Sequence, residues 1–270
     1  MLSISCIKQV PDTTQVQIDP VTNTLIRDGI PFIMNPYDSH ALEESLRLRH
    51  QYGVRSIALS MGPPNAKETL RKACALGVDD AILLSDRCFG GADTLATSCV
   101  LSAAIERLAR DEELAIVFCG KQTIDGDTAQ VGPGIASRLG LHQLTLVDRI
   151  ELLDPERKTI RVRRKLEGRY EIVEAPLPVM ITVVREINRP RYPTVPMRLA
   201  AEEVEVTTWD NSVLELDVET IGLKGSPTWV SKIFSPERDQ GEIIGDAVND
   251  PKGTAQLLID KLLSRDLLAV

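Results

Sequence analysis

Residues 114–140 read LAIVFCGKQTIDGDTAQVGPGIASRLG, in which an apolar run is followed by a polar loop and a second apolar pattern. LAIVFCG (114–120) has the length and apolar content of a buried strand. GKQTIDGDTAQVGP (120–133) is rich in glycine and hydroxyl side chains, and GIASRLG continues it as a helix. A strand, a loop and a helix in this order predict a parallel sheet covered by helices.

The same rhythm recurs through the first 147 residues. LSISCIK (2–8), VRSIALS (54–60) and AILLS (81–85) are predicted strands. Between them we predict helices that begin at Asn35-Pro36, with Asn35 as N-cap, that end at Gly77, and that cover 91–109 behind Asp93 or Thr94. Turn signals D-P and T-N-T inside VQIDPVTNTLIRDGIP (16–31) indicate a hairpin.

The pattern changes after about residue 145. LTLVDRIELL, TIRVRRKLEGR and YEIVEA indicate antiparallel strands, and PLPVMITVVR indicates a returning apolar strand. Residues 188–198 are predicted to form an exposed loop, 210–250 to be loop-like, and 253–268 to form an amphipathic helix. The predicted fold is an α/β, Rossmann-like parallel sheet with helices on both faces, an antiparallel strand extension and an extended C-terminal arm. We expect the division at 1–200 and 201–270.

Composition excludes several classes of protein. The chain has 270 residues, 43% hydrophobic content and a formal net charge of −8, without the basic stripe of a nucleic-acid-binding protein. No apolar run approaches the roughly 20 residues that span a membrane. Five cysteines without C-x-x-C spacing and a polar start predict reduced thiols in the cytoplasm. The three separated histidines argue against a metal site, and no residue spacing predicts a catalytic residue.

Four loops follow the predicted strands at one edge of the sheet. They are KQVPD (8–12), MGPP (61–64), GGADT (90–94) and GKQTIDGDT (120–128). Ligands bind at this edge of parallel sheets. GK at 120–121 is not a Walker A motif because Ala115 stands where a glycine is required. The last loop therefore indicates either nucleotide binding or a well-capped helix. If it holds a phosphate, we expect Asp125 and Asp127 to cap turns or bond loop amides and to face away from the anion.

In order along the chain, CIKQVPDT, DPVTNTLIRDG, MNPYDSHALEE, SMGPP, GADTLATS and GKQTIDGDTAQVGP resemble the small (beta) subunit of electron-transfer flavoproteins. The resemblance covers residues 1–140 and continues more weakly in NRPRYPTVP and LKGSPT. VPDT and GADTLATS are similar to the bifurcating branch, which includes the Fix-type proteins. Subunits that only carry electrons diverge at these two segments and hold AMP.

The resemblance implies a heterodimer with an electron-transfer flavoprotein alpha subunit, on which the C-terminal helix packs. This subunit would hold FAD, with AMP as the alternative, and NADH would be the electron donor. Electrons would pass to ferredoxin or flavodoxin and, through the FAD of the alpha subunit, to an acyl-CoA dehydrogenase or a Fix-type quinone reductase. Pro190 to Pro196 resemble the loop that docks on acyl-CoA dehydrogenases. A stand-alone ATP-binding regulatory protein on the same fold remains an alternative of another class.

The resemblance also implies a set of binding residues. Near the flavin ring we expect Lys8, Gln9, Val10 and Pro11, and near the pyrophosphate or flavin Gly91, Ala92, Asp93, Thr94 and Thr97. Against the adenosine phosphate we expect Cys6, Asn35, Pro36, Tyr37, Asp38, Met61, Gly62, Gly120, Lys121, Gln122, Thr123, Ile124, Asp125, Gly126, Asp127, Thr128, Ala129, Gln130 and Val131. Several of these contacts would be made by backbone groups.

Overall fold

A mostly parallel sheet organises the chain. The computed structural model describes residues 1–12, 17–18, 25–26, 31–231 and 241–268. The described strands are β1 (Leu2–Cys6), β2 (Gln9–Pro11), β3 (Gln17–Ile18), β4 (Leu25–Ile26), β5 (Phe32–Met34), β6 (Arg55–Met61), β7 (Asp80–Leu84), β8 (Leu114–Gly120), β9 (His142–Asp154), β10 (Thr159–Leu166), β11 (Arg169–Pro176), β12 (Val179–Val183) and β13 (Thr207–Trp209). The described helices are α1 (Pro36–Tyr52), α2 (Lys67–Leu76), α3 (Thr94–Leu108), α4 (Val131–Leu139), α5 (Val195–Glu202), α6 (Asn211–Leu214) and α7 (Pro251–Ser264).

Nine of the described strands form one sheet in the order β11-β10-β9-β12-β8-β1-β6-β7-β13. In this spatial order, every neighbouring pair from β9 through β12, β8, β1, β6 and β7 to β13 runs parallel. The pairs β9–β10 and β10–β11 run antiparallel and lengthen the sheet beyond β12. The predicted α/β fold with an antiparallel extension is thus confirmed.

Helices cover both faces of the parallel part, as predicted. Along β1, Leu2 and Ile4 join a buried cluster with Val100 and Ile105 of α3. The intervening Ser3 faces the other way, and its hydroxyl lies 2.7 Å from the hydroxyl of Ser45 in α1. Because successive side chains of a strand point to opposite faces, this alternation places α3 and α1 on opposite sides of the sheet. Cluster composition places α4 with α3 and α2 with α1.

Helix boundaries largely follow the sequence signals. Pro36 is the first residue of α1, and α1 and α2 are followed by Gly53 and Gly77 with φ of 67° and 106°. These left-handed values suit glycine, which has no Cβ to clash. Among the described residues of the predicted hairpin, Gln17 pairs with Ile26 and Ile18 with Leu25. Its turn, residues 19–24, lies outside the described residues.

Two expectations for loops were wrong. KQVPD (8–12) contains β2, which pairs antiparallel with β5 in a small separate sheet. The Pro-rich stretch 188–198 becomes helical at Val195, because Thr194 caps α5 and Pro196 fits its first turn. Residues 207–209, for which the sequence predicted no element, form β13, paired with β7 along the edge of the sheet. Their Thr-Thr-Trp sequence has no apolar alternation, so periodicity gave no signal for this strand.

Internal contacts divide the chain into one unit at 1–231 and another at 232–270. Residues 201–231, including β13, therefore have their contacts in the unit that contains the sheet. In the second unit the predicted final helix is present as α7, with Asp250 as its N-cap. Within residues 1–12, 31–231 and 241–268, no helix combines the length and apolar character needed to cross a bilayer.

Candidate functional site

Strands β1, β6 and β8 end side by side at one edge of the sheet. Their last residues, Cys6, Met61 and Gly120, are followed by three of the four predicted loops, and Cys6 lies directly opposite Cys119 in the register. A hydrogen bond with Cys6, together with burial, raises the pKa of the Cys119 thiol. Cys119 is therefore a packing residue with a protonated thiol, and Cys6 is buried beside it.

Asp38 joins the loop after β1 to the end of β8. Its Oδ2 accepts a hydrogen bond from the backbone N–H of Lys8 at 2.8 Å, and its Oδ1 accepts one from Gly120 N at 3.1 Å. Burial raises the pKa of this carboxyl group to about 7, although hydrogen bonds from Asn35 and the two backbone groups act in the opposite direction. Asp38 thus fixes the loop after β1 and the end of β8 relative to each other.

Asn35 has a different role from the one predicted. It occupies the N-cap position of α1, but its side chain makes no capping hydrogen bond. Instead Nδ2 donates to the carbonyl of Gln122 at 2.9 Å, and Oδ1 accepts from Ile124 N at 3.2 Å. Its backbone N–H donates to the carbonyl of Lys8 at 2.9 Å. The side chain therefore fixes the loop after β8 and leaves the helix start to Pro36.

The two acidic residues of the loop after β8 are both engaged within the chain. Asp125 Oδ2 lies 2.7 Å from Lys8 Nζ, and Asp127 Oδ1 accepts from Gln122 Nε2 at 2.6 Å. Partial burial raises the pKa of Asp125, but hydrogen bonds from Lys8 and Thr123 outweigh it and lower the pKa overall. Of the two alternatives expected for Asp127, capping α4 does not occur, because Gln130 occupies the N-cap position without a side-chain cap, and Asp127 instead bonds the side-chain amide of Gln122 in the same loop.

The Lys8–Asp125 ion pair gives a test of how this loop is held. Lys8 is 47% exposed, so replacing it with methionine is expected to lower the free energy of unfolding by less than about 1 kcal/mol. Urea unfolding of Lys8→Met beside the parent protein measures the change. A loss above roughly 2 kcal/mol would mean that this pair, and not Asn35 and Asp38, holds the loop.

Backbone N–H groups form a concave surface where the loop meets α4. Asp127 and Ala129 have positive φ of 51° and 56°, whereas Gln130 is right-handed with φ of −103°. Successive residues of opposite hand turn their N–H groups toward one point, which is an anion-binding arrangement. Within the described chain the N–H groups of Thr128, Ala129 and Gln130 have no hydrogen-bond acceptor. The first N–H groups of α4 add to this surface, so a phosphate fits here.

A second helix begins beside the first. Asp93 caps α3, since its Oδ1 accepts from Leu95 N at 2.9 Å and from Ala96 N at 3.0 Å. Thr94 Oγ1 donates to Gln130 Oε1 at 3.0 Å and links the starts of α3 and α4. The structure thus brings the GGADT and GKQTIDGDT loops together, with two helix N-termini side by side.

Exposure separates the predicted residues into two groups. Val10 and Asn35 have no exposed surface, and Cys6 and Asp38 are buried, so these residues support the loops and do not line an open site. The exposed or half-exposed predicted residues are Lys8, Gln9, Pro11, Pro36, Tyr37, Met61, Gly62, Gly91, Ala92, Asp93, Thr94, Gly120, Lys121, Gln122, Thr123, Ile124, Asp125, Gly126, Asp127, Thr128, Ala129, Gln130 and Val131. Thr97 is half-buried one turn into α3, with its N–H bonded to the Asp93 carbonyl.

Sequence reasoning missed two neighbours of the site. The Arg185 guanidinium lies over the Tyr37 ring at 4.7 Å, beside a cavity of about 470 Å³ that Lys121 and Lys165 also line. Residues 222–228 contact the loop that precedes α3. Both neighbours come from segments distant in sequence, so no local spacing could have indicated them.

Comparisons with known proteins identify the family. The Electron transfer flavoprotein domain profile matches residues 22–214. Protein FixA of Azotobacter vinelandii is 47% identical over 268 residues, which cover 98% of this chain and 95% of the relative. Electron transfer flavoprotein subunit beta of Clostridium acetobutylicum is 48% identical over 260 residues, 96% of each chain. Caffeyl-CoA reductase-Etf complex subunit CarD of Acetobacterium woodii is 44% identical over 271 residues, 99% of this chain and all of the relative.

Proposed function

Because the chain belongs to the electron transfer flavoprotein family, among its beta subunits and FixA proteins, we propose that it holds FAD and serves in flavin-based electron bifurcation. The proposed site is the edge formed by the loops after β1, β6, β7 and β8. An alpha subunit is the partner that membership of this family implies. Beyond that membership, we propose FAD as the cofactor, NADH as the electron donor and electron bifurcation as the activity.

The observation that carries the proposal is the pair of adjacent helix N-termini. The N–H groups of residues 128–130 and of the first turn of α4 offer one anion position. At the start of α3, Asp93 accepts from Leu95 and Ala96, so within the described chain the Thr94 N–H is what that turn has left for a second phosphate. The Thr94–Gln130 hydrogen bond holds the two positions together. A dinucleotide such as FAD carries two linked phosphates, whereas AMP carries one. The paired N-termini therefore favour FAD over AMP in this subunit.

The residues around these positions have separate tasks. Backbone N–H groups of the loop after β8 would bind phosphate, while Asp125 and Asp127 remain paired with Lys8 and Gln122. Lys8, which is half exposed at the end of β1, would lie beside the flavin ring. When bound, FAD supplies the chemistry of hydride acceptance from NADH and of one-electron transfer along two routes. This chain binds and orients the cofactor.

Two exposed surfaces support a role in a larger complex. Four apolar side chains of α7 are exposed to between 36% and 55%, namely Leu257, Leu258, Ile259 and Leu263. We propose that this helix packs on the alpha subunit. Tyr192 is 94% exposed on the loop that Arg191 fastens to Glu43. We propose this loop as the docking surface for an acyl-CoA dehydrogenase or a Fix-type quinone reductase, with ferredoxin or flavodoxin as the second acceptor.

The flavin content of the heterodimer tests the proposed function. We expect two FAD per heterodimer when this chain is co-purified with its alpha subunit, measured by acid release, chromatography and absorbance. One FAD together with one AMP would instead assign the subunit to the plain electron carriers. A monomer that binds and hydrolyses ATP without any alpha subunit would overturn the family-based function altogether.

A further inference from the structure

Residues 222–228, GLKGSPT, lie against the loop that precedes α3. The backbone N–H of Leu223 donates to the carbonyl of Gly90 at 3.0 Å. Asp93 N donates to Ser226 Oγ at 2.8 Å, and the Ser226 hydroxyl donates in turn to the carbonyl of Gly222 at 2.7 Å. Contacts from a segment more than a hundred residues away thus fasten the start of α3.

Asp93 is shared between the helix cap and this segment. Its Oδ1 accepts from the first turn of α3, while its Oδ2 accepts from Thr228 Oγ1 at 2.8 Å and from Thr228 N at 3.2 Å. A carboxylate is planar, so a bond that orients one oxygen also orients the other. Thr228 therefore sets the direction in which Asp93 presents its capping oxygen to Leu95 and Ala96.

The two segments fit each other closely at glycine positions. Gly222 has φ of 57°, and a Cβ there would collide with the carbonyl oxygen of Cys88 and lie 3.1 Å from the carbonyl oxygen of Gly90. A Cβ on Gly91 would meet the Cβ of Leu223 at 3.2 Å. Ile221, 1% exposed, anchors the segment in the core beneath. Backbone lies against backbone here, so the position of one segment determines that of the other.

We propose that Ser226 and Thr228 are positioning residues of the nucleotide site, acting through Asp93 on the first turn of α3. The inference rests on the proposed function, because Thr94, the first residue of this turn, is among the residues proposed to contact the nucleotide. A loop ordered before binding loses less conformational freedom when the ligand arrives. Segment 222–228 would thereby slow release of the nucleotide without touching it.

The test replaces Thr228 with valine in the heterodimer and measures how fast FAD is released after dilution, by the rise in flavin fluorescence. Loss of one hydrogen bond to a charged group is expected to speed release from this subunit about tenfold. Thr228→Ser keeps the hydroxyl and should restore the parent rate. Thr220→Val is the matched control, because among the described residues the Thr220 hydroxyl bonds the carbonyl of Asp217 and makes no hydrogen bond to Asp93. Its release rate should be unchanged.

Ser226→Ala provides a second variant if Thr228→Val folds poorly, and melting curves report the folded fraction of each. Parent-like release from both variants at equal folded fraction would overturn the inference and leave the proposed function intact. AMP in place of FAD in the parent heterodimer would overturn the proposed function instead. The same comparison is then made on AMP release, where equal rates in parent and variants would also overturn the inference.

Discussion

Replacing Gly120 with alanine is expected to abolish nucleotide retention and to lower the free energy of unfolding by about 2–4 kcal/mol. A Cβ at this position would overlap Asp38 Oδ1 and would lie 2.6 Å from the Tyr37 Cβ and 2.8 Å from the Tyr37 carbonyl carbon. Two of these neighbours cannot rotate away, since one is backbone and one is attached directly to it. The ends of β8 and α1 would have to separate, which would also break the Asp38–Gly120 hydrogen bond.

Gly126→Ala is the matched control in the same loop. A Cβ there meets only Thr123 Oγ1 at 3.5 Å, an ordinary contact. Urea unfolding and nucleotide content of the two purified variants, measured side by side, make the comparison. If Gly120→Ala kept its nucleotide and parent stability, the close approach of β8 to α1 would not be required for the site.

The pH dependence of stability is expected to change when Asp38 is replaced by asparagine. The native pKa of about 7 lies above the ordinary 3.8, so between these values the folded protein holds a proton that the unfolded chain has released. The stabilisation of the folded state by protonated Asp38 is therefore fully present below pH 3.8 and is lost as pH rises through about 7. From pH 5.5 to 7 the parent should lose about 2 kcal/mol that Asp38→Asn does not lose.

The slope with pH, and not the absolute stability, is the quantity to compare. Asparagine cannot accept both backbone hydrogen bonds, so the variant is expected to be less stable by about 1–3 kcal/mol at every pH. Asp79→Asn is the control: a hydrogen bond from Arg49 lowers the pKa of Asp79, so it titrates below this window. Parallel stability curves for the parent and Asp38→Asn between pH 5.5 and 7.5 would show that Asp38 is ionised throughout in the folded protein.

Local signals in the sequence predicted most of the strands and helices. They did not predict the hydrogen bonds between segments that lie far apart in the chain. The start of α3 was expected at Asp93 or Thr94, and Asp93 is the cap, because a cap and its helix are neighbours in the chain. Asn35 stands where a cap belongs, yet its side chain bonds Gln122, 87 residues further on. An asparagine side chain suits both roles, helix capping and bonding to a distant loop, and only the folded chain distinguishes them. Thr228 lies in LKGSPT, which the family resemblance includes, but nothing in the sequence linked it to Asp93, 135 residues earlier.

Because of the strand order, a ligand can bind at the edge of the sheet without any break in the pairing of its strands. From β1 the chain adds β6 and β7 on one side, then reverses direction and places β8 on the other side of β1. The helix after β1 covers one face of the sheet, and the helix after β8 covers the opposite face. Two connections that leave in opposite directions open a crevice between them. A ligand can enter there while every hydrogen bond between β1 and β8 stays intact.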